Sequence, residues 1–339
     1  MKILFRADAN NNIGFGHLIR TLSIIDVLKN SKESSNLQIL VSGNLSNKAK
    51  EILIQNNISF SHQLYFNEIA DLLNEISNFK PDVLFLDKIY PYSESNIKQL
   101  NSLQRTIILH NLCEGAPFAD TFILPTAHTA EEKITAINWD KGIVKRFIGS
   151  EYIILNKDVL NLKKTNTESF PLTLSVITGG TDPIGVMPIL LEMMINMSLE
   201  SLNINFLYGK DIAYQDRISS LIKSAPINFN LAPFSPQKMS MSDIAICTFG
   251  ITTYELFYLG IPVISVSHAP VNAEGSLYLS KNFDTHIDLG IIKELKPENL
   301  KKAINNMYSN KDLREKYAQK SIKLVDGKGA TRIAKIILE

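Results

Sequence analysis

Short apolar runs alternate with amphipathic stretches along most of this chain. The runs Ile3–Phe5, Gln38–Val41, Val83–Leu86, Thr106–Leu109 and Thr121–Leu124 are too short for helices and read as strands. Near-continuous apolar runs of this length belong to strands covered on both faces, as in a parallel sheet. Helical spacing fills the intervals, over Ala49–Gln55, Ile69–Ile76 and Ser95–Leu103. After the first strand comes a polar loop, Arg6 to Asn12, and from Leu18 the positions Leu18, Leu22, Ile25 and Leu28 keep one helical face apolar.

The scheme returns in the second half. Leu172–Ile177, Asn203–Leu207, Phe229–Leu231, Ile244–Cys247 and Val263–Val266 are its strands. Pro188–Ile195, Ala213–Ile222, Thr253–Leu259, Ala273–Lys281 and Pro297–Tyr308 are its helices. The polar stretch Leu160–Ser169 separates the two series and reads as a linker. The predicted fold is α/β, with two doubly wound Rossmann-like domains spanning residues 1–160 and 161–339. Such sheets bind ligands beyond the C-terminal ends of their strands, so a cleft between the two domains is the expected site.

Composition narrows the function classes. The chain has 339 residues, enough for two cores, and 45% of them are hydrophobic. Its 35 basic and 34 acidic side chains leave a net charge of +1, so nothing here points to nucleic acid. No apolar run approaches the ~20 residues of an integral membrane segment. Arg6 and Asp8 interrupt the first apolar stretch, which speaks against a signal peptide. Cys113 and Cys247 are far apart and lack metal-ligand spacing, the pattern of reduced thiols in a cytoplasmic protein.

Four segments that follow strands carry candidate chemistry. Gly14-Phe15-Gly16-His17 opens the first helix. It reads as a plain helix entry, or as a place where a ligand nears the backbone and meets an imidazole. A helix N-terminus disfavours imidazolium, so His17 is expected to stay neutral and able to take a proton. Gly179-Gly180-Thr181-Asp182-Pro183 suits a helix start with Asp182 as N-cap and Pro183 at the first position, or a backbone cradle for phosphate. It is not a P-loop, since no Gly-Lys-Ser/Thr follows.

Phe249-Gly250-Ile251-Thr252-Thr253-Tyr254-Glu255 fits a capping box from Thr252 to Glu255. The same groups can serve a nucleotide, with Thr252 and Thr253 on a diphosphate and Glu255 accepting both ribose hydroxyls. In His268-Ala269-Pro270-Val271-Asn272, Asn272 reads as an N-cap or as an amide that orients a water or a sugar hydroxyl.

These residues carry a resemblance. Phe5-Arg6-Ala7-Asp8, with Ile13-Gly14-Phe15-Gly16-His17 and Arg20, is similar to the N-terminal signature of the UDP-sugar hydrolases of pseudaminic acid biosynthesis. Those enzymes remove UDP from UDP-diacetamido-trideoxy-altropyranose. Gly179-Gly180-Thr181-Asp182 and Tyr254-Glu255 through Asn272 follow in the family's order, and the likeness spans nearly the whole chain. The later segments are shared with the wider GT-B superfamily, including the glycosyltransferase that makes lipid II.

The resemblance implies a GT-B fold and attack of water at the anomeric carbon with UDP leaving. It implies His17, Asn272 and Tyr90 as catalytic residues. It places the sugar near Gly14, Gly16 and Arg20, and the nucleotide near Gly179, Gly180, Phe234, Thr252, Thr253 and Glu255. Phe234 lies where the superfamily holds the uracil through backbone groups. The first domain then carries the histidine and the second the nucleotide.

Three departures surround the sugar pocket. The family's Asp-x-Tyr-Gly turn is here Asp87-Lys88-Ile89-Tyr90-Pro91, with the tyrosine one place later and no glycine. His110-Asn111 replaces an Asp-Asp pair, and Asn272-Ala273 an Asn-Gln pair. The expected activity is release of UDP from a UDP-linked amino-deoxy sugar by water. The alternatives are a GT-B glycosyltransferase and a noncatalytic nucleotide-sugar binder. No cofactor or metal is called for, and the metal-binding Asp-x-Asp of another glycosyltransferase class does not occur.

Overall fold

The computed structural model describes residues 1–10, 13–129, 131–162, 170–210 and 212–339. They form two compact units, Met1–Asn156 with Gly327–Glu339, and Lys157–Asp326.

Unit 1 runs β1 (Lys2–Ala7), α1 (Gly16–Lys29), β2 (Gln38–Gly43), α2 (Asn47–Gln55), β3 (Ser59–His62), α3 (Glu68–Phe79), β4 (Val83–Asp87), α4 (Glu94–Asn101), β5 (Arg105–Leu109), β6 (Thr121–Pro125), α5 (Glu132–Thr135) and β7 (Lys145–Gly149). Unit 2 runs α6 (Lys157–Leu160), β8 (Leu172–Ile177), α7 (Val186–Ile195), β9 (Leu202–Tyr208), α8 (Gln215–Ser224), β10 (Phe229–Pro233), α9 (Pro236–Ser240), β11 (Ile244–Thr248), α10 (Ile251–Tyr258), β12 (Val263–Ser267), α11 (Pro270–Phe283), β13 (His286–Ile291), α12 (Pro297–Ser309) and α13 (Lys311–Leu324). The last helix, α14 (Gly329–Leu338), returns to unit 1.

Both sheets are parallel throughout. The order is β3-β2-β1-β4-β5-β6-β7 in unit 1 and β10-β9-β8-β11-β12-β13 in unit 2. Each order reverses once, between β1 and β4 and between β8 and β11. At such a point neighbouring loops leave to opposite sides and open a crevice at the strand ends. In unit 1 that crevice receives the loop holding Gly14–His17 and the end of β4. In unit 2 it receives the loop holding Gly179–Gly180 and the one holding Phe249–Gly250.

Leu18, Ile24, Ile25 and Leu28 of α1 are buried together with Ile3 and Phe5 of β1 and with Ile333, Ala334 and Ile337 of α14. Gly329 sits against this layer so closely that a Cβ would lie 2.1 Å from the Ile153 carbonyl oxygen. From the sequence, everything beyond residue 160 is expected in the second domain. Instead, residues 327–339 pack in unit 1, because the apolar face of α14 matches that of α1. Most of the linker expected over 160–169 lies outside the described residues, and Leu160 itself ends α6.

Candidate functional site

The unit 1 crevice assembles three side chains. His17 stands in the first turn of α1, which begins at Gly16 with Phe15 as N-cap. Its Nδ1 lies 2.8 Å from Oδ1 of Asp87, the buried last residue of β4. Arg20, one turn on, donates from Nη2 to Asp87 Oδ1 at 2.5 Å and from Nε to Oδ2 at 3.2 Å. A carboxylate only accepts, so the Nδ1 proton belongs to the bond with Asp87. Nε2 is then the basic nitrogen. Arg20 Nη2 is 3.0 Å from Nδ1, a contact and not a hydrogen bond in this tautomer. Burial by itself would raise the Asp87 pKa. The Arg20 charge and the bonds from His17 and Arg20 outweigh it, and the carboxyl lies below its ordinary range.

The glycines that precede His17 have open faces among the described residues. Gly14 has φ +83 and donates its amide to Asn10 O at 2.8 Å. A Cβ on Gly14 or on Gly16 would meet nothing within 4 Å. No described residue therefore excludes a side chain at Gly16, whereas a ligand passing over the helix start would.

His110 follows β5 with φ +58, and the charges of Arg20 and Asp87 act on it. Its residue keeps an exposed edge, so crowding of the ring, not full enclosure, is the first cause of its lowered pKa, about 4. The Arg20 charge is the second.

Beside this cluster lies a buried ionic network. Arg6 of β1 makes a two-pronged bond to Glu68 at 2.9 and 2.8 Å and pairs with Asp8. Lys88 bridges Glu68 at 2.8 Å and Asp8 at 3.0 Å, and Tyr92 donates to Glu68 at 2.9 Å. Asp8 also accepts from the Asn44 amide, and the Arg6 guanidinium lies 3.7 Å from the Tyr65 ring centroid. Asp87, Lys88, His110 and Glu68 were not among the site residues expected from the sequence. Asp87 had a signal, an acid ending an apolar strand; Glu68 had none.

Tyr90 is not in contact with the His17 cluster in any described interaction. Its ring packs on Tyr92 at 4.8 Å and its carbonyl accepts from Asn111 Nδ2 at 2.7 Å.

Unit 2 revises the expected capping in three places. Asp182 does cap a helix, yet α7 begins at Val186 with Gly185 (φ +73) as N-cap. The Asp182 carboxylate accepts from the Val186 amide at 2.8 Å, the Met187 amide at 2.7 Å and Thr178 Oγ1 at 3.1 Å. Those amides are thus already neutralised by the chain's own anion. Gly179 and Gly180 line the crevice instead. A Cβ at Gly180 would meet nothing, and one at Gly179 only Thr248 Oγ1 at 4.0 Å.

The second revision concerns α10, which starts at Ile251 with Gly250 as N-cap, two residues before the expected cap Thr252. Thr253 supplies the box: its buried Oγ1 accepts from the Gly250 amide at 3.2 Å and lies 3.4 Å from Cys247 Sγ. Its hydroxyl is therefore spent on the turn. Thr252 is half-buried and Glu255 buried. The amides of Ile251 and Thr252 have no acceptor within the helix, by the geometry of its first turn.

Third, Asn272 is not the N-cap of α11; that is Ala269, with Pro270 at the first position. Asn272 Nδ2 donates to Phe249 O at 3.2 Å and ties the start of α11 to the loop before α10. Phe234 uses its amide on Tyr208 O at 2.8 Å.

Two concavities lie away from these crevices. One of about 1000 Å³, lined by Asp243, Tyr258, Pro262 and Arg314, sits where strands β11 and β12 begin. Another, of about 670 Å³, sits at the starts of β2 and β3, lined by Gln38 and Ser59. The chemistry lies at the opposite strand ends, which we take as the site because the polar groups converge there. Among the described residues, no group of three His, Cys, Asp or Glu is placed to hold a metal. None of their helices is long and apolar enough to cross a membrane. Cys113 and Cys247 are free and buried.

No protein-family model matches the chain. An uncharacterised protein of Methanocaldococcus jannaschii, MJ1062, is 25% identical over 301 residues, 85% of this chain. The chain spans 60% of that relative's length. The spore coat polysaccharide biosynthesis protein SpsG of Bacillus subtilis is 21% identical over 98% of this chain and 96% of its own. Among solved structures, the UDP-GlcNAc 2-epimerase of Neisseria meningitidis bound to UDP-GlcNAc matches with a TM-score of 0.69 at 13% identity, covering 100% of both chains. MurG of Acinetobacter baumannii matches at 0.67 and 14% over 99% of both. Anabaena HepE in complex with UDP-glucose matches at 0.63 and 15%, over 100% of this chain and 99% of its own. With two parallel, doubly wound units and these neighbours, the chain has the fold of the GT-B glycosyltransferases and epimerases.

Proposed function

We propose that this chain is an enzyme acting on a UDP-sugar in polysaccharide or surface-glycan synthesis, with His17 as general base. One observation carries the reading: the Asp87-held imidazole, at a strand-end crevice beside glycines whose faces no described residue covers. Nε2 takes the proton of an oxygen nucleophile, the oxygen bonds to the anomeric carbon, and the bond to the diphosphate breaks with its electron pair leaving on UDP. Asp87 fixes the ring and stabilises the imidazolium that forms. Arg20 neutralises Asp87 and offers its remaining N–H groups outward.

Unit 2 holds the nucleotide in this reading. The amides of Ile251 and Thr252, with the Thr252 hydroxyl, take the diphosphate at the start of α10. Glu255 takes the ribose hydroxyls, the Phe234 carbonyl the base, and Gly179–Gly180 leave room for the chain of atoms between. Asn272 and Tyr90 serve the sugar.

Transfer to an acceptor hydroxyl is the reaction the relatives favour, since a MurG, a glycosyltransferase from kitacinnamycin synthesis and a polysaccharide biosynthesis protein are among them. Water as acceptor is the second reading. The Phe5–Asp8 and Gly14–His17 segments with Arg20, which resemble the UDP-sugar hydrolases, favour it.

The test is nucleotide release from a panel of UDP- and CMP-sugars, with and without acceptor glycans. Release that requires acceptor assigns transfer, and release in water alone assigns hydrolysis. Tight UDP binding with no turnover of any sugar, or full turnover in His17→Ala, overturns the proposal.

A further inference from the structure

We infer that His110 is a specificity-determining residue of this site, hydrogen-bonding the sugar of the UDP-sugar beside the carbon that His17 serves. The inference rests on the UDP-sugar reading above and adds to it a residue on a third element. β5 pairs with β4 in the register Leu86–Ile108, which sets Leu109 opposite Asp87 and brings His110 out one residue beyond it, at the same strand ends. There the imidazole lies within the electrostatic reach of Arg20 on α1 and of Asp87 on β4.

Its backbone is held, not loose. The His110 amide donates to Ile123 O of β6 at 2.9 Å, and the next side chain, Asn111, is bonded to the Tyr90 carbonyl at 2.7 Å. The ring is thus presented from a fixed strand end, as a recognition group must be. The conformation is also one that side chains rarely adopt: φ is +58, in the left-handed region. A glycine would sit there without strain, yet the position carries a large polar ring with an exposed edge. An outlier of this kind beside reacting groups points to a use for the side chain.

The chemistry selects the ligand class. With a pKa near 4 the ring is neutral at pH 7 and offers one N–H donor and one lone pair. That pair matches a sugar hydroxyl or acetamido group. It does not match the diphosphate, which calls for donors alone.

The left-handed backbone supplies a clean test. His110→Gly removes the ring without adding strain, and His110→Asn keeps a donor and an acceptor in a residue that tolerates this φ. Calorimetry would measure UDP and UDP-N-acetylglucosamine binding to the wild type and both variants, with unfolding midpoints alongside. For turnover, the best-used UDP-sugar of the panel replaces the binding probe. We expect His110→Gly to weaken the UDP-sugar about fivefold relative to wild type, the worth of one neutral hydrogen bond. UDP affinity should stay within about twofold, and His110→Asn should recover most of the loss.

Equal weakening of UDP and UDP-sugar, or of neither, overturns the role of His110 while leaving the UDP-sugar reading intact. A wild-type protein that binds neither ligand overturns both.

Discussion

At the scale of single residues, the site depends on Asp87 more than its position in the sequence announces. A histidine after Gly14-Phe15-Gly16 was legible as candidate chemistry; Asp87, 70 positions away, was legible as an acid ending a strand but not as its partner, because only the pairing of β1 with β4 brings the two together. Asp87→Asn preserves shape but removes the charge that balances Arg20 and holds Nδ1–H. Turnover should fall by about 10²-fold or more, read as kcat at saturating UDP-sugar. The same carboxyl gives an acid signature. Folded, its pKa lies below the ordinary 3.8, so near that pH the unfolded chain binds more protons. Its stabilisation is therefore complete above that value and is lost as pH falls through the lower folded one. The steep acid limb of a thermal-unfolding profile should flatten in Asp87→Asn. Glycines give a second test. At Gly16 a Cβ meets nothing, so Gly16→Ala should keep or slightly raise the denaturation midpoint while lowering kcat/KM for the UDP-sugar. At Gly209, where a Cβ would lie 2.1 Å from Gly180 O, the same change should destabilise the fold.

Among the elements, legibility followed burial. The central strands β1, β4, β5, β8, β11 and β12 were readable because both faces are covered and each is mostly apolar. Edge strands β3 (Ser-Phe-Ser-His), β7 (Lys-Arg-Phe-Ile-Gly) and β13 (His-Ile-Asp-Leu-Gly-Ile) were missed, since a half-exposed strand keeps polar residues and loses the continuous signal. Helix starts were misplaced for a related reason. Asp182 and Thr253 act as capping groups from positions that the tertiary turn decides, and propensity alone set Asp182-Pro183 and Thr252 in those roles. The ionic network joins elements in the same way: Arg6 on β1, Asp8 after it, Glu68 at the start of α3 and Lys88 after β4. Its two cations balance its two anions, all largely removed from water. Arg6→Met would leave Asp8 and Glu68 with Lys88 alone, and a broken buried pair costs about 3–5 kcal/mol. Urea denaturation should show that loss. Glu68→Gln with Arg6→Met should restore part of it, because the uncompensated charge is what makes the single change costly.

For the whole molecule, the two repeated halves were legible and the return of the chain was not. Alternation of strand and helix predicts two sheets, but no local pattern says that a terminal helix rejoins the first. What decides it is the match of apolar faces. Ala330, Ile333, Ala334, Ile336 and Ile337 of α14 are buried in the same core as Leu18, Ile24 and Ile25 of α1. Arg105 of β5 also donates to the Ile336 and Ile337 carbonyls, the latter at 3.2 Å, so the helix end is tied to the sheet by hydrogen bonds as well as packing. Removing residues 327–339 therefore strips unit 1 of part of its own core, although the cut lies at the far end of the sequence. Each buried isoleucine is worth about 1.5–3 kcal/mol, comparable in sum with the whole stability of an ordinary domain. The truncated chain should lose the unfolding transition of unit 1, with hydrogen exchange accelerating in β1 and α1. Exchange in β8 and β11 of unit 2 should remain protected, since their core takes nothing from α14. His17 rides on α1, so turnover should vanish with that transition even though no residue of the site has been altered. Loss of protection in both units together would show that they unfold as one cooperative body.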